Sequence, residues 1–241
     1  MNHIGFNLGP LGYAVTAMPP LTPDALANFD NLPEDPYYTE RWRQFSQYIL
    51  FYENDHWACR VLEHRPFVQA KAYNQKVGGV KRGFDPITGV DPTPQFAHLA
   101  NLMKFDKNQA FQVNLHQWRT RVSDVYKGAT IPEGPHRDGH HITSVTVWNR
   151  KNVSGGDSTL FQIGKTEPFF KQVLEPGQCL VMRDEDMVHG ADDITANSDE
   201  GGSRDIWVIS INPWNDRRYG DTFEEFASAE VSSGSDPIAA E

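Results

Sequence analysis

A mainly β fold, a barrel or jelly roll flanked by helices, is predicted by three observations on this chain. Short strand-like runs punctuated by regular turn signals dominate after residue 110. Helix-like periodicity falls mainly before it. The 241 residues, 39% hydrophobic and 12% aromatic, suit one globular unit with a sizeable core. The expected organisation is a single domain over 1–220, with an N-terminal helical and β extension (about 1–108), a barrel core (about 109–213) and an acidic tail over 221–241.

Taken in order, Leu11 to Val15 reads as a first strand, ended by Pro19-Pro20. Thr22-Pro23-Asp24 opens a helix, with Thr22 as N-cap, Pro23 at the first helical position and Asp24 favourable to the dipole; it should end near Asn31. Tyr37 to Ser46 is aromatic and basic, read as core aromatics with a solvated basic face; an arginine lining a pocket is the alternative. Tyr48 to Tyr52, Trp57 to Leu62 and Phe67 to Tyr73 read as strands, and Gly78 to Pro86 as an ordinary surface loop, the alternative being that its charges close over a ligand. Thr93-Pro94 starts a second helix whose Phe96, Leu99, Leu102 and Met103 recur at spacings of three and four, suited to buttressing the outside of a sheet.

From Ala110 to Arg121 the alternation defines two faces. Phe111, Val113 and Leu115 share one, continued by Gln117 and Arg119; Gln112, Asn114, His116 and Trp118 share the other. With the apolar face taken as inward, Gln117 and Arg119 point into the barrel, where a ligand carboxylate or an internal salt bridge would satisfy them. His116 then falls on the outer face. Ile142 to Trp148 is a β-branched strand, Asn152 to Asp157 a tight hairpin connection through Gly155-Gly156, and Ser158 to Gln162 its continuation. Leu174 to Gln178 is a turn feeding the strand Cys179 to Met182, and Asn197 to Gly202 a polar loop. Six acids and no bases from Asp221 onward suggest a partly helical, then disordered tail.

A net charge of −10 without a Lys/Arg cluster argues against a nucleic-acid surface. No apolar run approaches a membrane span, and Met1 to Gly5 lacks the basic-then-apolar start of a secretion signal, so a cytoplasmic location is expected. Cys59 and Cys179 fit buried thiols in a reducing compartment. No GxGxxG, P-loop or nucleophile elbow occurs.

Chemistry concentrates in Gly134-Pro135-His136-Arg137-Asp138-Gly139 and in His189. On an extended segment His136 and Asp138 point to one side, and His189, 53 positions on, can join them from another strand. Two imidazoles and a carboxylate form the facial ligand set that leaves open positions on non-haem Fe(II), where O2 could bind; zinc can use the same set. Arg204, fifteen residues beyond His189 and heading the apolar run Ile206 to Ile211, suits the distal carboxylate of a dicarboxylic co-substrate such as 2-oxoglutarate, and this tips the choice to iron. His140 and His141 are further pocket candidates; adjacent residues alternate sides, so only one could reach the site.

The string His116-Gln117-Trp118-Arg119, the His136-Arg137-Asp138 segment, Gly155-Gly156-Asp157, His189 and Arg204, preceded by Arg41 to Tyr48 and Arg65-Pro66-Phe67, resembles the iron and 2-oxoglutarate dioxygenases of the L-isoleucine 4-hydroxylase type, over about residues 10 to 213. The resemblance implies a double-stranded β-helix (jelly roll, cupin-like). It implies Fe(II) on His136, Asp138 and His189, 2-oxoglutarate on Arg204, and a free aliphatic L-amino acid as substrate. From the residues themselves, Gln117 is expected to assist at the co-substrate, and Arg119, His140 and Asp157 to stand near the substrate. Relatives carry Arg-x-Ser at the co-substrate position, whereas Arg204-Asp205 is followed here by Ile206. The rival readings are a cupin-like module that binds a small acid without turnover, a zinc hydrolase, and a desaturase or cyclase on the same iron site. A monomer or homodimer is expected.

Overall fold

The computed structural model describes residues 7–74 and 78–233, the last four of these by backbone only. The start Met1 to Gly5 and the tail end from residue 234 lie outside the described residues. The strands are β1 (Tyr13–Ala17), β2 (Arg41–Glu53), β3 (His56–Val61), β4 (Phe111–Val122), β5 (Ile142–Lys151), β6 (Val153–Gly155), β7 (Ser158–Gln162), β8 (Pro168–Gln172), β9 (Gln178–Arg183), β10 (Met187–Ala191), β11 (Ile194–Ala196) and β12 (Gly202–Pro213); the helices are α1 (Pro23–Ala27), α2 (Thr93–Leu102) and α3 (Asp221–Ser233). A seven-stranded sheet runs β1-β9-β5-β12-β4-β2-β3, and it is accompanied by a three-stranded sheet β10-β7-β8 and the pair β11-β6. All pairings are antiparallel, as in a jelly roll. Strands β1, β2 and β3 of the N-terminal extension are thus built into the principal sheet.

Local chemistry sets the helices. Thr22 Oγ1 accepts from Ala25 N at 3.2 Å, capping α1 with Pro23 behind it, and a 3-10 turn over Asn28–Asn31 ends the element. Helix α2 buries Phe96, Leu99 and Ala100, with Met103 just past its end, against Tyr48, Phe111 and Leu115 of the large sheet. Helix α3 is held by the ion pairs of Arg65 with Asp221 and Glu224, and Ala227 packs on Val68 and Ala70. Among the described residues no helix is long and apolar enough to cross a membrane.

Two apolar layers cover the two faces of the large sheet. One joins Phe111, Val113, Leu115, Trp207, Ile209 and Ile211 to α1 and α2. The other fills the barrel with Val147, Leu160, Leu180, Met182, Ile206 and Val208, bringing β5, β9 and β12 against β7.

Three expectations are corrected. The apolar face of β4 packs outward on α2, so the inward face is the polar one, with His116 and Trp118 on the central cavity. Alternation distinguishes two faces but not which of two apolar layers each meets. Phe67 to Tyr73 is not a strand: Phe67 makes a single bridge to Arg82, and the segment then turns beneath α3. Gly155-Gly156 does not close a hairpin between neighbours. Its φ values of +74° and +71° carry the chain from β6, paired with β11, to β7 in another sheet, and a Cβ on Gly155 would stand 2.6 Å from the Asp193 carbonyl oxygen.

Candidate active site

His136 and His189 face each other as an isolated antiparallel bridge, each backbone N–H donating to the other's carbonyl at 2.9 Å. This β pairing holds the imidazole centroids 4.8 Å apart. Asp138 completes the cluster: its Oδ1 is 3.3 Å from His136 Nε2 and its Oδ2 is 3.6 Å from His189 Nε2. The ligand atoms of the three all lie within 4.8 Å of one another, close enough for one ion.

Each member is oriented by a neighbour. Gly134 O lies 2.9 Å from His136 Nδ1, an arrangement in which that nitrogen carries the proton and leaves Nε2 as the ligand. Thr143 Oγ1 donates to Asp138 Oδ2 at 3.2 Å, and Gln69 Nε2 donates to the Asp138 carbonyl at 3.2 Å. Asp184, almost fully buried, accepts from the backbone N–H groups of Asp138 (3.0 Å), Gly139 (2.8 Å) and His140 (3.2 Å), and its Oδ1 stands 3.3 Å from His189 Nδ1. One carboxylate therefore secures the turn that carries Asp138 and backs a second ligand. Sequence reasoning saw Asp184 only as part of an acidic loop. Its only signal, an Asp just after a strand and five residues before His189, does not distinguish it from Glu185 and Asp186.

Burial opposes charge on His136, but Asp138 foremost, with Glu133 and the Gly134 carbonyl, outweighs it and lifts the imidazole to about 9. Burial likewise works to raise the Asp138 pKa, and His189 and His136 overcome it, holding the carboxyl far below its ordinary range.

The triad opens on a cavity of about 810 Å³, mouth included, whose lining extends to Arg204, Ile206 and Val208 of β12 and Leu180 and Met182 of β9. Arg204 is 1% exposed, and its Nε and Nη2 have no hydrogen-bond partner among the described residues. Burial, then Arg150, lowers its pKa to about 10, and Asp157 offsets part of this. A buried guanidinium with free N–H groups is costly unless an anion meets it, so the site fits the distal carboxylate of 2-oxoglutarate. Gly156 passes close to Ile194: a Cβ there would stand 2.9 Å from Ile194 Cγ2.

The other expected site residues divide. His140 lines the cavity, its ring between the side-chain amides of Asn212 (2.8 Å) and Asn114 (3.4 Å), and burial lowers its pKa. His141 points instead toward Asp216, 2.7 Å away. Asp157 is absent from the lining and acts on Arg204 through its charge. Gln117 and Arg119 lie on the opposite face of β4. Gln117 Oε1 accepts from Trp207 Nε1 at 3.0 Å, and Arg119 donates to Asp205 at 2.6 and 2.8 Å and to Asp30 at 2.6 Å. These partners give Arg119 the internal salt bridge that was the alternative to a ligand. In the aromatic and basic segment the solvated basic face is also corrected: Arg41 and Arg43 are buried and line the cavity, because the register of β2 on β4 sets them beside Thr120 and Trp118, on the inward face of the sheet.

A jelly roll holding two histidines, one aspartate and a buried, unpaired arginine in one cavity defines the class of non-haem iron, 2-oxoacid-dependent oxygenases. The chain belongs to the 2OG-Fe dioxygenase family, whose sequence model matches residues 26–210. It is therefore a 2-oxoglutarate-dependent dioxygenase. It is similar to L-isoleucine-4-hydroxylase of Bacillus thuringiensis, 24% identical over 205 residues that cover 80% of this chain and 83% of that protein. Two solved structures share the fold. A bsmA homolog from Methylobium petroleophilum PM1 has 20% identity and a TM-score of 0.63, covering 78% of this chain and 80% of that one. IDO from Bacillus thuringiensis has 20% identity and a TM-score of 0.62, covering 79% and 82%.

Proposed function

We propose that the protein hydroxylates a free aliphatic L-amino acid while converting 2-oxoglutarate to succinate and CO2. The observation that carries this is the meeting of His136, Asp138 and His189 with the unpaired Arg204 on one cavity. The amino acid named in the similar hydroxylase supports the substrate class. In this assignment the triad holds Fe(II) and Arg204 takes the distal carboxylate of 2-oxoglutarate. Bound there, iron with the co-substrate and O2 supplies an oxidant able to replace an unactivated C–H bond by C–OH.

The chain's own part is placement and exclusion. Gly134 O keeps the His136 ring turned to the centre, Asp184 sets its carboxylate 3.3 Å behind His189 Nδ1, and Gln69 and Thr143 hold Asp138. Val145, Leu180, Met182, Ile206 and Val208 give the cavity apolar sides that keep water from the reacting carbon. The test is succinate formation by iron-loaded protein in air, across a panel of free L-amino acids with a no-substrate control. Stimulation by an aliphatic member, with a product heavier by one oxygen, is the expected result. Binding of a small acid without succinate would instead favour a non-catalytic module, and an unsaturated or cyclised product would favour the other oxidative outcomes of the same site.

A further inference from the structure

The cavity contains a second charge centre apart from Arg204. Arg41, Arg43 and Arg82 are each under 5% exposed and line it together with Glu133. The field at Arg204 comes from Arg150 and Asp157, whereas Arg43 feels Arg82, Asp35, Arg41 and Glu133. Burial first, then Arg82, depresses the Arg43 guanidinium to about 9. Three cations of one sign would not be gathered out of water without an anion to meet them.

The anions of the chain itself do not complete the set. Asp35 reaches Arg43 Nη1 only at 3.8 Å and spends its Oδ1 on the backbone N–H groups of Tyr37 (2.8 Å) and Tyr38 (3.3 Å). Glu133 Oε2 is buried and has no hydrogen-bond partner among the described residues, and the same holds for the Nε groups of Arg41, Arg43 and Arg82. Aromatic faces hold the guanidinium planes, Trp118 lying 4.4 Å from Arg41 Cζ and 5.0 Å from Arg43 Cζ and Phe67 4.7 Å from Arg82 Cζ. Each Nη2 meets a neutral partner, Thr130 O at 2.8 Å, His116 Nδ1 at 2.8 Å and Gln69 Oε1 at 3.4 Å, so none of these bonds neutralises the charge. Glu133 stands two residues before Pro135 on the segment that leads into the triad, and its charge reaches Arg43, Arg82 and His136 alike. It thus shares the cavity with both the arginines and the metal ligands.

We propose that this cluster is the subsite for the head group of an α-amino acid, with Arg41, Arg43 and Arg82 binding its carboxylate and Glu133 accepting from its ammonium. The inference rests on the amino acid hydroxylase reading and deepens it. A carboxylate supplies the anion the guanidiniums lack, and an ammonium supplies the donor Glu133 lacks. With both ends of the head group anchored beside the triad, one side-chain carbon can be presented to the centre in a fixed geometry.

The experiment uses the full protein with iron and 2-oxoglutarate, and the free amino acid that most stimulates succinate release. KM is compared among that acid, its carboxamide and its N-acetyl derivative. Each derivative should raise KM by about tenfold or more, the loss of a charge-assisted hydrogen bond in a buried site. Arg43→Gln should raise KM for the free acid by a similar factor and shrink its advantage over the carboxamide, while Glu133→Gln should shrink the advantage over the N-acetyl form. The comparison on the wild-type protein stands even if Arg43→Gln does not fold. Use of the carboxamide and the N-acetyl form as readily as the free acid would overturn the subsite and leave the hydroxylase reading intact. A complete lack of stimulation by any free amino acid would overturn both.

Discussion

The two faces of the large sheet treat their polar groups in opposite ways. On the face toward α1 and α2, Trp207 Nε1 has Gln117 and Arg119 has Asp205 and Asp30. On the face toward the cavity, Arg204, Arg41 and Arg43 are as deeply buried but keep unpaired N–H groups. Both faces come from the same strands, β4 and β12 alternating between them, so secondary structure does not explain the difference. Among the described residues the unmatched groups on the outer face are neutral, such as Gln117 Nε2 and Trp148 Nε1, whereas those on the inner face include buried guanidinium N–H groups that an anionic ligand would complete. Buried charges left without a counter-charge mark where the chain binds.

The comparison can be pressed hardest at the triad. Asp138→Ala should take metal binding and succinate release to background with the fold retained, as read by metal content and circular dichroism; full activity would remove the triad assignment. Trp207→Ala acts on the other face and should cost about 3–5 kcal/mol of stability by leaving a cavity in a packed layer, seen as a large drop in melting temperature. Asp184→Asn should lower metal affinity or turnover by roughly 10–100-fold, the usual range for a residue that orients ligands. An unchanged value would show that the turn holds without its anchor.

Arg119→Met should cost stability alone, roughly 1–3 kcal/mol from leaving buried Asp205 with Asn149 as its remaining side-chain donor, with kcat/KM per folded molecule unchanged. A loss of activity there would erase the distinction between the faces. The last contrast is in pH. In metal-stripped protein the His136 pKa is raised from 6.5 to about 9, so the charged ring contributes stability that is complete below about pH 6.5 and lost as pH rises through about 9. Metal takes the neutral ring and should bind more tightly across that window. Melting curves and metal titrations at both ends of it check the two opposite slopes.

Much of the site was legible in order along the chain. His136 and Asp138 sit at i and i+2 on an extended segment, and this local geometry survives any packing. His189 and Arg204 could be found because each flanks or belongs to a strand of obvious composition. Gln117 and Arg119 were misplaced because Phe111, Val113 and Leu115 look like a barrel interior, yet here they pack on α2. Arg41 and Arg43 looked like a surface patch because basic residues are ordinarily solvated, and only their pairing partner β4 turns them inward.

The sequence by itself therefore determined the strand-rich architecture, the ligand types and their order, since periodicity and side-chain chemistry are local properties. The tertiary structure decided which face of each strand meets the cavity, that Asp184 would anchor the Asp138 turn from 46 residues away, and that Arg82 would join Arg41 and Arg43. Those outcomes depend on which layers close over the sheet, an arrangement of long-range contacts that no window of neighbouring residues contains.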